Sequence, residues 1–331
     1  MKRVYLDFWV WVSLAKAGLL KQEGSQFANA FDLVGYAADH GLASFPLSSA
    51  HYSELLHVKN PRQRYEVGQL MYDVSKGHRM IGLTDRVFRA ELDVALRKRF
   101  SVQIRPRHVD VFGSGYNHVL DLPRVRARIE RKDGGKLTDV DLGWISDLEE
   151  IATDDLERML LCGPPEGVDV PGYDANADRV LAERFAEEEK EQALRFQQFG
   201  TSVNRQGRVL LAQEWIRNLH LFVDSLARCG IDPARFLQSQ NGESLTALVR
   251  DMPVVWAALE MRRLQHQNPQ RRWKTNDYYD VTALSVAVVH CDVVVTERHW
   301  AALITRAGLD KLHRTVLWTQ VNDLLRLPGV K

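Results

Sequence analysis

Cysteine is scarce in this chain of 331 residues, and proline is thin at 11. The three cysteines, Cys162, Cys229 and Cys291, are odd in number, far apart and in no CxxC pattern. They exclude a disulfide framework and a zinc ribbon and point to a reducing, cytoplasmic setting. No apolar run is long enough to span a bilayer, so no membrane partner is expected. The N-terminus, "MKRVYLDFWVWVSLAKAGLL", imitates a signal peptide, but Asp7 interrupts its would-be apolar core. A large net charge is missing too: the formal value is +1. Any basic surface must therefore come from local clustering. With 45% hydrophobic residues, the chain can still build a sizeable core.

Strand signals sit at the two ends and nearly vanish between them. Residues 3–6 read as a strand, followed by a helix, a second amphipathic helix over 26–40, a short strand at "GLASFP" and a helix in "SSAHYSELLHV". After Asn276 the pattern returns: a helix over 277–290, a strand over 292–296, a helix over 300–307, a strand over 314–319 and a closing helix. This alternation predicts an α/β fold with a parallel sheet assembled from both chain ends. The expected organisation is residues 1–85 and 271–331 as two parts of one domain, with 86–270 as a mainly helical insertion. "CGPPEGVDVPGYDAN", 162–176, reads as its linker.

In a parallel sheet, strand C-termini and helix N-termini share one edge, where ligands bind. Asp7 ends the first strand, Glu54 lies a turn into a helix, Asp277 and Asp280 open the helix before "DVVVT", and Glu297 follows that strand. All five fall on that edge. Asp292 begins its strand, roughly 15 Å from Glu297 at about 3.3 Å per residue, and falls on the other. Acids at a helix start ordinarily just stabilise it, by a few tenths to about 1 kcal/mol. Several on one edge, however, repel one another and raise each other's pKa unless a cation intervenes. Oxygen donors of this kind suit Mg²⁺ or Mn²⁺, which can activate water for phosphodiester hydrolysis.

Three motifs in this order, "VYLDFWVWVSLA", "PLSSAHYSELL" and "DVTALSVAVVHCDVVVTERHW", resemble the PIN domain superfamily of metal-dependent nucleases. The resemblance covers about the first 85 and last 60 residues. It implies a three-layer α/β/α domain in which Asp7, Glu54, Asp280 and Glu297 form the catalytic acidic quartet on the metal, with Asp277 as an added ligand or supporting acid. It also implies an endonuclease that favours RNA over DNA, in a toxin or defence setting. Trp9 stands where the family commonly has Asn or Ser, and Glu297 replaces the more usual Asp. Those two departures favour the alternative, a catalytically inactive PIN-like nucleic-acid-binding or scaffold protein.

Other chemistries fit less well. A dehalogenase-type phosphatase needs a second acid two residues after the first, where Trp9 stands. HExxH is absent, and the six-residue spacing of His51 and His57 leaves them off a common helix face, as packing or surface residues. "FGSGYN" lacks the P-loop Lys and Ser/Thr and reads as a turn. Basic clusters occur at Arg97–Arg107, at Arg124–Lys132 and from Arg262 to Lys274, against an acidic run over 187–191. Arg271, Arg272 and Lys274 directly precede the acidic helix, and Arg298 and His299 follow the acidic edge. These five are the candidate nucleic-acid-binding residues, with Trp273, Tyr278 and Tyr279 as stacking surfaces. The helical middle region is the candidate surface for a protein partner or inhibitor.

Overall fold

A computed structural model describes residues 1–18, 24–121, 157–163, 179–268 and 270–327. The N-terminal part runs β1 (Lys2–Leu6), α1 (Phe8–Gly18), α2 (Ala28–Asp39), β2 (Ala43–Ser44), α3 (Ser49–Leu56), α4 (Pro61–Ser75) and β3 (His78–Met80). There follow α5 (Asp85–Phe100), β4 (Phe112–Ser114), α6 (Tyr116–Val119) and a helical stretch α7 at 157–162. Next come α8 (Arg179–Gln198), α9 (Val203–Arg217), α10 (Leu219–Arg228), α11 (Pro233–Ser239), α12 (Gly242–Arg250) and α13 (Pro253–His266). The chain closes with α14 (Asn276–His290), β5 (Val293–Val295), α15 (Arg298–Arg306), α16 (Leu309–His313), β6 (Val316–Trp318) and a 3₁₀ turn. The stretch that imitates a signal peptide is thus β1 and α1, and Trp11, Val10 and Leu14 of α1 are fully buried. Among the described residues no helix is long and apolar enough to cross a membrane.

Four parallel strands form a sheet in the order β2-β1-β5-β6, joining the two ends of the chain as expected. Val4, Tyr5 and Leu6 pair with Val293, Val294 and Val295. Side chains alternate across a strand. Val4, Leu6, Val293 and Val295 accordingly enter one core with Trp11, Val34 and Met71, while Tyr5 and Val294 enter another with Met261, Leu284 and Trp300. Burial from both faces explains why β5 reads Val-Val-Val instead of alternating apolar with polar. Each such side chain contributes about 1.5–3 kcal/mol of burial.

Three features were not expected from the sequence. "FGSGYN" is a strand followed by a turn: β4 pairs antiparallel with β3, and Gly115, at φ +82°, leads into the short α6. The sequence hides β4 because its three residues carry too little period to register. α13 also serves two cores. Val254, Ala257 and Met261 pack beneath the sheet, whereas Val255 and Leu259 pack with Leu92, Trp215 and Phe222 of the helical region. Finally, the Arg97–Arg107 cluster is largely consumed inside the protein. Lys98 and Arg99 pair with Asp251, and Arg107 with Asp224. Those acids lie far away in sequence, so the cluster looks uncompensated until the chain folds. The 124–132 cluster and most of the 162–176 linker lie outside the described residues.

Candidate metal centre

Asp7 follows β1 directly. Its backbone N–H donates to Val295 O at 2.9 Å, which continues the β1–β5 ladder by one residue and sets Asp7 beside Thr296. Thr296 Oγ1 then donates to Asp7 Oδ2 at 2.8 Å. The Leu6 carbonyl just before it accepts from Trp11 Nε1 at 3.1 Å and from His51 Nε2 at 2.7 Å. Both lone pairs of that oxygen are thereby used, which pins the strand end.

His51 also positions Glu54. Its Nδ1 accepts from Ser48 N–H at 2.8 Å, which leaves Nε2 carrying the proton given to Leu6 O. Burial lowers this imidazole to about 4, so it stays neutral. His51 and Glu54 are three apart on α3 and share a face. Tying His51 to the end of β1 therefore carries Glu54 over the same edge. The histidine packs, as expected, but it does so through hydrogen bonds that orient an acid.

Asp280 lies on α14, where its Oδ2 accepts from Trp300 Nε1 at 2.8 Å. Glu297 is exposed immediately before α15. The four acids sense one another. Burial raises Asp7 to about 6, with Glu297 adding to the rise and the Thr296 hydrogen bond opposing it. Glu54 is pushed well above the usual carboxylate range by burial and by Asp7, Asp280 and Glu297. Asp280 is raised likewise by burial, Asp7, Asp277 and Glu297. Among the described residues no Lys, Arg or His forms an ion pair with any of the four.

Asp277 differs. Its Oδ2 accepts from Lys274 N–H at 2.8 Å, and its Oδ1 meets Arg271 at 3.2 Å. This carboxylate is compensated and committed to the start of α14. Asp292 pairs with Lys2 at 2.8 Å and accepts from Arg3 N–H at 2.9 Å, at the opposite end of β1, as strand direction requires.

The candidate nucleic-acid residues divide. Arg272, Lys274 and Arg298 are exposed. Arg271 is held by Asp277 and lies 5.7 Å from the Trp300 ring centroid. His299 is bound to Gln265 Oε1 at 2.6 Å and is lowered to about 4 by burial and by Arg271, so at neutral pH it adds no positive charge. The stacking expectation is corrected for Trp273 and Tyr279, which are buried at 2% and 3% exposure, while Tyr278 is half-buried. Their apolar rings are worth more in the core than beside a base. Thr296 and Trp300 were not singled out from sequence as partners of acids. The Thr-acid pair at the end of β5 was a usable signal for the first, and nothing in the sequence marked the second.

Among the described residues no group of three or more His, Cys, Asp or Glu side chains stands ready-made around a metal position. The donor chemistry nevertheless suits a hard cation. The four groups are all oxygen donors, three are raised by burial first and by neighbouring carboxylates second, and Mg²⁺ commonly takes one or two carboxylates and retains waters. The chain matches no protein-family model, no curated protein and no solved structure.

Proposed function

We propose that the chain is a Mg²⁺- or Mn²⁺-dependent endonuclease built on a three-layer, PIN-like domain, acting in the cytoplasm on RNA in preference to DNA. The observation that carries this reading is the mutual electrostatic influence of Asp7, Glu54, Asp280 and Glu297 at the C-terminal edge of a parallel sheet, with no ion-pairing cation among the described residues. A divalent ion there would activate a water and stabilise the leaving oxygen of a phosphodiester. Asp7, held by Thr296, and Asp280, held by Trp300, are the ligands fixed best in orientation. Glu54 and Glu297 complete the cluster and accept a proton. Asp277 holds Arg271 and the helix start, and Arg272, Lys274 and Arg298 bind phosphate. The PIN resemblance supports the RNA preference and the toxin or defence setting, with the helical region selecting a target, partner or inhibitor.

The test is cleavage of single-stranded RNA and DNA with Mn²⁺, Mg²⁺ or chelator, using wild type, Asp7→Asn and Asp280→Asn. Metal-dependent cleavage lost in both variants is expected. Cleavage that survives Asp280→Asn would overturn the assignment. The lack of a ready-made group of three donors favours a second reading, a catalytically inactive PIN-like scaffold, which would bind RNA and cut nothing.

A further inference from the structure

A cavity of about 590 Å³ opens between α8, the start of α9, the end of α13 and the segment leading into α14. Its volume lies in the range of small-molecule sites. Lys190, Arg271 and Arg272 line it, the first two paired with Glu187 at 2.7 Å and Asp277 at 3.2 Å, and among the described residues no Asp or Glu lines it. Phe196 and Trp273 also border it, both rings nearly buried.

Six of its lining residues carry a buried polar atom with no hydrogen-bond partner among the described residues: Gln206 Oε1, Gln265 Nε2, His266 Nδ1, Gln267 Nε2, Arg271 Nε and Trp273 Nε1. Each orphan costs about as much as a lost hydrogen bond, and native structures hold few of them. Six around one cavity call for an explanation. The far ends of the same side chains show that the orientations are set. Gln206 Nε2 donates to Thr201 O at 2.9 Å, Gln265 Oε1 accepts from His299 at 2.6 Å, and Gln267 Oε1 accepts from Arg306 at 3.4 Å. His266 Nε2 donates to Glu189 at 2.6 Å, and Arg271 pairs with Asp277. These five are each anchored at one end and unpartnered at the other, and Trp273 has only its one N–H to place. Gln265 and Trp273 are almost fully buried, at 1% and 2% exposure. The free atoms are themselves shielded from solvent, so a ligand meets them only after the side chains that line the cavity turn toward it.

We propose that this cavity binds a nucleotide, its phosphate held by Arg271, Arg272 and Lys190 and its base edge by the glutamine amides and Trp273 Nε1. A nucleotide supplies what the wall lacks: an anion for Arg272, which has no ion-pair partner among the described residues, and for Lys190 and Arg271 to share with Glu187 and Asp277, acceptors for the unpartnered N–H groups and a donor for Gln206 Oε1. A bare phosphate would use the cations alone. The cavity also reaches the acidic edge through two short chains, Gln265 to His299, and Arg271 over Trp300 to Asp280. The ligand is either a free mononucleotide or one residue of an RNA strand.

The inference goes beyond the nuclease reading and does not rest on it, so binding is measured on the full chain in chelator, where no metal-dependent step runs. Calorimetric titrations would use AMP, GMP, CMP and UMP, then adenosine, inorganic phosphate and a short single-stranded oligoribonucleotide. At least one mononucleotide is expected to bind about tenfold more tightly than phosphate or nucleoside. Arg272→Glu, at an exposed position, and Gln267→Leu should each weaken it about tenfold, with unchanged circular dichroism. A tighter oligoribonucleotide would identify the source as a strand, and a tighter mononucleotide would identify a free ligand. Phosphate binding as tightly as every nucleotide, or Arg272→Glu binding like wild type, would overturn the proposal.

Discussion

Replacing Asp7 by Asn should stabilise the metal-free protein above neutral pH, although it removes a proposed ligand. In the folded chain this carboxyl rises from 3.8 to about 6, chiefly through burial. The folded state therefore holds the proton more tightly than the unfolded state. Stability is greatest while both are protonated, falls as pH rises from about 4 through 6, and levels off above. At about 1.36 kcal/mol per pH unit, ionising Asp7 costs the folded chain about 3 kcal/mol by pH 8. Asn avoids that cost and can still accept from Thr296. Its NH₂ replaces one acceptor, however, beside the Phe8 and Glu297 amides that now donate to the carboxylate. That exchange gives back about 1 kcal/mol. The net gain is about 2 kcal/mol at pH 8, vanishing or reversing near pH 4. Urea unfolding of both proteins in chelator at the two pH values measures it. Added Mn²⁺ should then stabilise wild type, by about 2.7 kcal/mol at a hundred times Kd, and leave the variant nearly unmoved. If Asp7→Asn destabilises equally at pH 4 and pH 8, the acid is no reservoir of uncompensated charge and the metal centre loses its main support.

Asp277→Ala should behave in the opposite way: with Arg271 and the Lys274 amide left unpaired, it should cost about 2–3 kcal/mol at pH 8 while Mn²⁺ affinity by calorimetry changes little. In the helical region, Arg262 joins Glu189 at 2.5 Å and Glu214 at 2.7 Å. Arg262→Met should cost about 3–5 kcal/mol in urea unfolding, and adding Glu189→Leu should recover part of it. Burial pushes Glu189 up, but Arg262 and His266 outweigh it and hold the carboxyl at about 2, so its stabilisation is complete above 4.5 and lost as acid brings the pH down toward 2. Arg272→Glu, Lys274→Glu and Arg298→Glu should weaken single-stranded RNA binding, and each should reduce the salt slope in filter binding by about 0.7 for the one phosphate it no longer neutralises. Arg107→Glu should alter stability and leave that slope alone.

What could be read before folding was whatever depends on order and period. The apolar run of β5, the helix start at Asn276 and the rule that strand ends meet helix starts placed Asp7, Glu54, Asp280 and Glu297 on one edge and excluded Asp292. What could not be read depends on partners distant in sequence. Lys98 and Arg99 look like an uncompensated basic cluster until Asp251, about 150 positions later, neutralises them. Trp273 looks like a stacking platform until Phe185 and His266 close around it, with ring centroids at 5.7 and 5.1 Å. α13 sits in a stretch that reads as an insertion, yet its two apolar faces are shared between the sheet and the helices.

The acids are best sorted by compensation. Asp277, Glu189 and Asp251 each face an Arg, and their charges belong to the architecture. Asp7, at 7% exposure, and the half-buried Glu54 and Asp280 receive only hydrogen bonds or none, and no ion pair among the described residues. Folding that selected only for stability would replace such groups by amides or apolar side chains, because an unpaired buried carboxylate costs several kcal/mol. Arg271 sharpens the contrast. Near enough to lower His299, it pairs with Asp277, and among the described residues no cation forms an ion pair with Asp280, three residues on. On the proposed reading, an edge kept acidic at that cost would take its positive charge from a bound divalent ion.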